Sequence, residues 1–298
     1  MSLKTVQKSK SGSPLALESE PASRQALRRF ARNRLALAGL ILIVLLSLMA
    51  LFAPWFAPYD PIQQNYDALS QAPSKLHLFG TDNLGRDVLS RTIYGARVSL
   101  SAGVIAVGLA TLAGLVFGMV AGFFGGVLDE IIMRVVDAML AFPFLVLAIT
   151  LAAVLGPNLQ NAMLAIAVVS APVFARLARG QVLSERERDY VQAAHALGSS
   201  DWRIVTHHLL PNIAGPIIIQ ASLSVAGAIL AESSLSFLGL GVQPPTPSWG
   251  EMLNTARGYL RDAPWTAIAP GSLIFISVLA FNLLGDGLRD ALDPKGNR

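Results

Sequence analysis

Five stretches of this chain carry no charged side chain: Leu35–Tyr59, Val98–Leu128, Ala138–Ala175, Leu209–Ala231 and Ala263–Gly285. A helix needs about 20 mostly apolar residues to cross the hydrocarbon of a bilayer, and each run supplies them. The third run is long enough for two crossings. It is split by Gly156-Pro157-Asn158, where proline cannot continue a helix. The runs therefore predict six transmembrane helices, near 35–57, 98–122, 131–155, 160–179, 212–233 and 265–287. Their apolar residues are continuous and do not alternate in ten-residue units, which argues against a β-barrel. Only 14% of the 298 residues are charged, against roughly 25% in a soluble domain, so an ordinary soluble enzyme and a disordered chain are both excluded. The fold class is all-α membrane protein.

Lys and Arg orient it. Seventeen of the 23 fall in residues 1–34, at Arg134, in Arg176–Arg203 and in Arg289–Arg298. Positive charge collects on the cytoplasmic side, which predicts cytosolic N- and C-termini and outward-facing segments at 60–97 and 234–263. Residues 1–24 read as a disordered cytosolic tail and 25–57 as an N-terminal segment with the first crossing. The outer segment is 58–97, the permeating core of five helices is 98–290, and 291–298 is a short cytosolic tail. The N-terminus lacks the pattern of a cleavable signal peptide.

The interior offers little chemistry. Asp129, Glu130, Arg134 and Asp137 lie at a cytosolic helix end, where Arg134 and Asp137 can pair at i,i+3, and Glu232 lies at an outer end. An ion-driven carrier keeps carboxylates or broken helices near the midplane, so the neutral spans point to energy supplied from outside the bilayer. There is no cysteine, no G-x-x-x-x-G-K-[ST] and no H-E-x-x-H, which leaves no thiolate chemistry and no such phosphate cradle or zinc site. His195, His207 and His208 lack acidic or thiol partners for a metal. The chain reads as non-catalytic, with no cofactor, no metal and no nucleic-acid partner. A self-contained channel or ion-coupled carrier is the remote alternative.

Small residues recur every fourth position in the second span: Ala102, Ala106, Ala110, Gly114, Gly118, Gly122 and Gly126. Such a stripe lets two helix backbones approach closely, either within the bundle or at a subunit interface. Pro143 in the third span predicts a kink. Gln243-Pro244-Pro245-Thr246-Pro247-Ser248-Trp249 reads as a stiff outer turn with an interfacial Trp anchor.

The longest cytosolic connection runs from Arg176 to Pro211. Ser184 with Glu187 has the form of a capping box, Gly198 suits the residue after a helix, and Ser200 with Asp201 can open a second helix. Pro211 marks the border with the fifth span. Two short, exposed helices held between two spans can pass a push from a docked partner into the bundle.

This connection resembles the EAA loop of ATP-binding cassette importer permeases, E-A-A-x-x-x-G followed by I-x-x-x-H-x-x-P. Ala193, Ala194, Gly198, Ile204, His208 and Pro211 fall at its spacing, and Gln192 stands where the family commonly has Glu. Residues 79–91, 236–250 and 281–294 are similar to the C-type permeases of dipeptide, oligopeptide, glutathione and nickel importers, and the match covers residues 25–295. The resemblance implies the type I importer permease fold, in which a coupling helix at 184–211 sits in a cleft of an ATPase. Gln192, Ala193, Ala194, Gly198, Asp201, Trp202, Arg203, Ile204, His208 and Pro211 would make that contact. It also implies a B-type permease partner, two ATPase subunits, an extracytoplasmic substrate-binding protein and residence in a bacterial or archaeal inner membrane. Peptides are the expected cargo. The substrate-binding residues are not readable. Thr81, Asp82, Gly85, Arg86 and Asp87 read as a capped turn pinning the outer loop to the bundle.

Overall fold

The computed structural model describes residues 22–292. Most of the tail expected at 1–24, and residues 293–298 of the tail expected at the other end, lie outside them. In chain order the helices are α1 (Ala22–Arg32), α2 (Arg34–Leu51), α3 (Ala53–Phe56), α4 (Val88–Phe124), α5 (Gly126–Leu140), α6 (Phe144–Leu155), α7 (Leu159–Arg186), α8 (Asp189–Ala196), α9 (Asp201–Arg203), α10 (Leu210–Phe237), α11 (Trp249–Ala256) and α12 (Trp265–Leu292). A 3₁₀ turn at Tyr66–Ala68 and a π-helical stretch at Ile204–Leu209 complete the set.

Five of these helical runs are long and apolar enough to span a bilayer, or six if α5 and α6 count as one broken span. Whole faces are left uncovered, as at Leu112, Phe117, Val154 and Phe275. A soluble monomer does not expose contiguous apolar surface on that scale, and a bilayer is the solvent that tolerates it.

The expected third span is not one kinked helix. α5 and α6 meet at 96°. Pro143 lacks an N–H and its ring clashes with the carbonyl four residues back, so the chain turns through Ala141-Phe142 and restarts at Phe144 with Pro143 extended at φ −58°, ψ 128°. With 15 and 12 residues, each half is only about 18–23 Å long at 1.5 Å per residue. Neither half alone reaches across about 30 Å of hydrocarbon.

α4 is the axle of the bundle. It starts ten residues before the expected span and runs for 37 residues, about 55 Å. Its small-residue stripe faces α7 of the same chain. A Cβ on Gly114 would stand 2.5 Å from the Ala171 carbonyl, and one on Gly118 would stand 2.4 Å from the Ala175 carbonyl. Gly122 meets Val182, and Ala110, one turn before Gly114, is fully buried. The stripe is therefore an internal seam. Gly126 is not part of it: nothing lies within 4 Å of its Cβ position, and it opens α5 at φ +59° after Gly125 ends α4.

Further contacts close the bundle around Phe174, Ile166, Ile229, Leu235 and Trp249. Gly39 of α2 lies against the Ala280 carbonyl of α12, Gly103 against Ile229 of α10, and Gly285 against Leu223. α5 is tied to α7 by ion pairs: Arg179 holds both Asp129 oxygens through its Nε and Nη2, and Arg176 reaches Asp137 at 2.5 Å. Arg134 pairs with Glu130 at 3.4 Å, not with Asp137 as the sequence spacing suggested, because Asp137 faces α7.

Candidate functional site

The connection between α7 and α10 forms a compact elbow. α7 continues to Arg186, so Ser184 sits inside it and the expected capping box does not form. α8 instead begins at Asp189, with Arg188 in the N-cap position and an acidic residue in the first turn, where the helix dipole favours it. α8 ends in a Schellman motif. The Ser199 N–H donates to the Ala194 carbonyl at 3.0 Å and the Gly198 N–H to His195 at 2.9 Å. Gly198 has φ +79°, the left-handed conformation this closure requires.

The second element also differs from expectation. α9 is a single turn that passes directly into the π stretch and then α10, with Pro211 inside the first turn of α10. Pro211 has no N–H to give the His207 carbonyl. The ladder widens just before it, the Leu210 N–H reaching Val205, five residues back. Wide turns of this kind recur at functional positions.

Val182, Val191, Ala194, Ile204, Leu209 and Ile213 form a separate apolar core beneath the elbow, packed against Leu115, Met119 and Phe123 of α4. This pad pins α8 and the π stretch to the ends of α4, α7 and α10. Arg186 adds a second tie by donating to the Gly122 carbonyl at 3.0 Å, where the last carbonyls of α4 need donors.

Of the expected coupling residues, Ala194 and Ile204 therefore point inward as anchors. Gln192, Ala193, Gly198, Asp201, Trp202, Arg203 and Pro211 are exposed, and His208 is half-buried. Leu197 and Trp202 are 86% and 76% exposed, which leaves two large apolar groups uncovered on a polar elbow. Beside them Phe123, Phe124, Arg186, Glu187, Gln192, His195 and Asp201 line an open cleft of about 400 Å³. The Gln192 amide donates back to the Glu187 carbonyl at 3.3 Å. His195 stacks on Phe123, His207 bonds Thr206 and His208 lies beside Tyr190.

The opposite end of α4 is closed by a knot of buried polar groups. Asp82 accepts the N–H groups of Leu84 and Arg86 on one oxygen and the Arg86 guanidinium on the other, at 2.7 Å. Asp87 caps α4 by accepting from the Ser90 N–H at 2.8 Å, and it meets His77 at 2.9 Å. Thr81 bonds the Ala68 carbonyl and accepts from the Gln71 N–H. Gly85, at φ +71°, runs so close to Asn65 that a Cβ would fall 1.8 Å from its carbonyl oxygen.

Arg91 is the centre of the knot, and sequence reasoning counted it only as a charge. It is 1% exposed. It donates to Glu251 of α11 at 2.8 Å and to the Pro61 carbonyl at 3.0 Å, and it lies 3.6 Å from Asp82. Trp249 is likewise not an interfacial anchor. It is fully buried, and its indole N–H donates to the Thr92 carbonyl at 3.0 Å. Ser248 caps α11, so the proline-rich turn delivers Trp249 into the bundle.

Comparison with known proteins places the chain. The family described as binding-protein-dependent transport system inner membrane component matches residues 114–298. The N-terminal TM domain of oligopeptide transport permease C matches residues 22–73. The chain is 48% identical to a dipeptide transport system permease protein of Alkalihalophilus pseudofirmus, over 91% of this chain and 90% of that one. It is 50% identical to a di/tripeptide transport system permease protein of Pseudomonas aeruginosa, over 89% and 90%. It is 45% identical to a glutathione transport system permease protein of Pectobacterium atrosepticum, over 91% of each. Among solved structures, an inward-facing MetNI methionine ABC transporter shares the fold, with a TM-score of 0.57 and 18% identity over 68% of this chain and 97% of that one. With these matches and with several helices fit for a bilayer, the chain belongs to the binding-protein-dependent transport system inner membrane component family, as a multi-pass permease subunit of the C type.

Proposed function

We propose that the chain forms half of the translocation pathway of an ATP-driven importer for di- and oligopeptides, delivered by a separate substrate-binding protein. A B-type permease would supply the other half. Two ATPase subunits would bind at the elbow, with Trp202, Gln192 and the adjoining cleft as the contact. Both termini lie in the cytosol on this reading, supported by the excess of Lys and Arg on that side. The observation that carries the proposal is the elbow itself. An exposed face is packed through its own apolar core onto the ends of α4, α7 and α10, so a force on α8 is passed to the bundle.

The expected cycle is alternating access. ATP binding draws the coupling elements of the two permeases together and opens the pathway outward, and hydrolysis with product release returns it inward. Glutathione is the second cargo reading. Glutathione permeases match at 45–46%, close to the 47–50% of the peptide permeases, and glutathione is itself a tripeptide. A nickel or other metal chelate is a more distant alternative.

The test is reconstitution of the whole transporter in proteoliposomes. Accumulation of a labelled dipeptide that needs both ATP and the binding protein supports the proposal, and competition with excess glutathione ranks the two cargoes. Equal accumulation without ATP or without the ATPase subunits would overturn it.

A further inference from the structure

One side chain on the elbow touches both spans that flank it. Tyr190, in the first turn of α8, donates its hydroxyl to Glu185 Oε2 of α7 at 2.7 Å. The Tyr190 hydroxyl oxygen in turn accepts from Asn212 Nδ2 of α10 at 3.1 Å. Asn212 is itself fixed, its amide also reaching the His208 carbonyl at 2.6 Å, and the Tyr190 ring lies 6.2 Å from the His208 ring. The three residues make a strut from the last turn of one span, through the elbow, to the first turn of the next.

The chain around the strut is otherwise jointed. α7 breaks at Glu187-Arg188 before α8 begins. α8 stops at Gly198 with left-handed backbone, and the segment after it is widened to π geometry. The buried pad beneath holds these parts with apolar contacts, which are non-directional and permit rocking. Hydrogen bonds fix direction. The phenol is pushed up to about 12 by burial and by the Glu185 carboxylate, so it remains a neutral donor.

We infer that Tyr190 is a positioning residue for energy coupling: with Glu185 and Asn212 it makes the elbow and the two flanking spans turn as one piece. The inference rests on the importer reading above and adds a named transmission element to it. Nothing in the spacing of the coupling motif marks the strut, because Tyr190 lies before the motif and Asn212 after it.

The experiment uses the complete transporter, co-expressed with its partners and reconstituted, with uptake and ATP hydrolysis measured on the same vesicles. Tyr190→Phe removes one oxygen and keeps the ring. It is expected to leave assembly and binding-protein-stimulated ATP hydrolysis intact while peptide taken up per ATP falls about five- to tenfold, the net scale of one ordinary hydrogen bond. Asn212→Ala should give a similar loss, and the double variant should be little worse than either single one. Glu185→Gln keeps an acceptor and should retain most of the ratio that Glu185→Ala loses. An unchanged ratio in Tyr190→Phe, or losses that simply multiply, would overturn the strut. Wild-type vesicles that take up peptide without ATP would instead sink the importer reading, so the two failures are distinguishable.

Discussion

The two ends of α4 are held by opposite physics. At the knot, Arg91, Arg86, Asp82 and Glu251 are almost fully withdrawn from solvent and satisfy one another. At the elbow, a small apolar pad carries an exposed polar face with Trp202 and Leu197 uncovered. A buried ion pair tolerates little displacement, because separating it leaves an uncompensated charge. An apolar pad gives way by small increments. The difference teaches where rigidity is stored: the knot is built to stay as it is, and the elbow is the part that, on the proposed function, a partner pushes.

That contrast can be broken by substitution. The largest effect is expected from Arg91→Met, which strands Glu251 without its cation, while Asp82 keeps Arg86. It should cost about 3–5 kcal/mol, read as a lowered unfolding temperature in detergent, and Glu251→Gln in the same chain should recover part of it. Stability equal to wild type would show that the knot is not held by charge.

Next is Gly118→Val in the seam between the ends. Its side chain would meet the α7 backbone at Ala175. Overpacking costs about 1–3 kcal/mol even where only side chains must move. Gly108→Ala is the matched control, since nothing lies within 4 Å of its Cβ position. It should be neutral, or gain up to about 1 kcal/mol of helix propensity. Equal behaviour of the pair would mean that α4 and α7 are not closely packed.

Gly198→Val sharpens the elbow side. The space around Gly198 is open, so any cost comes from forcing a β-branched residue into left-handed backbone, about 1–3 kcal/mol. Thermal stability of the bundle should fall less than in Arg91→Met, while uptake separates from ATP hydrolysis. Full uptake would argue against a fixed α8 closure. The smallest stability effect belongs to Trp202→Ala. An exposed substitution should stay within about 0.5 kcal/mol, yet co-purification of the ATPase subunits should weaken. Undiminished co-purification would remove Trp202 from the docking face.

Much of this architecture was legible in residue order. Charge-free runs marked the helices because lipid demands them, and the four-residue stripe marked a close approach because only small side chains permit it. The spacing of Ala193, Ala194 and Gly198 marked the elbow. Helix ends were less legible. Ser184 and Glu187 satisfied a capping pattern, but the tertiary pad under Val182 and the reach of Arg186 to Gly122 extend α7 past it. Pro143 announced a disturbance, but a kink and a 96° turn look alike in sequence, since the angle is set by what α5 and α6 pack against.

The sequence by itself determined that this chain lives in a bilayer, where its apolar runs fall and where its elbow lies. Those properties depend on composition and short-range spacing, which a chain carries before it folds. Tertiary structure alone decided that Arg91 finds Glu251 across 160 positions, that Trp249 is core, and that Tyr190 joins Glu185 to Asn212. Each of these needs helices distant in sequence to arrive side by side, and a buried charge or hydroxyl acquires its meaning only from the partner that meets it there.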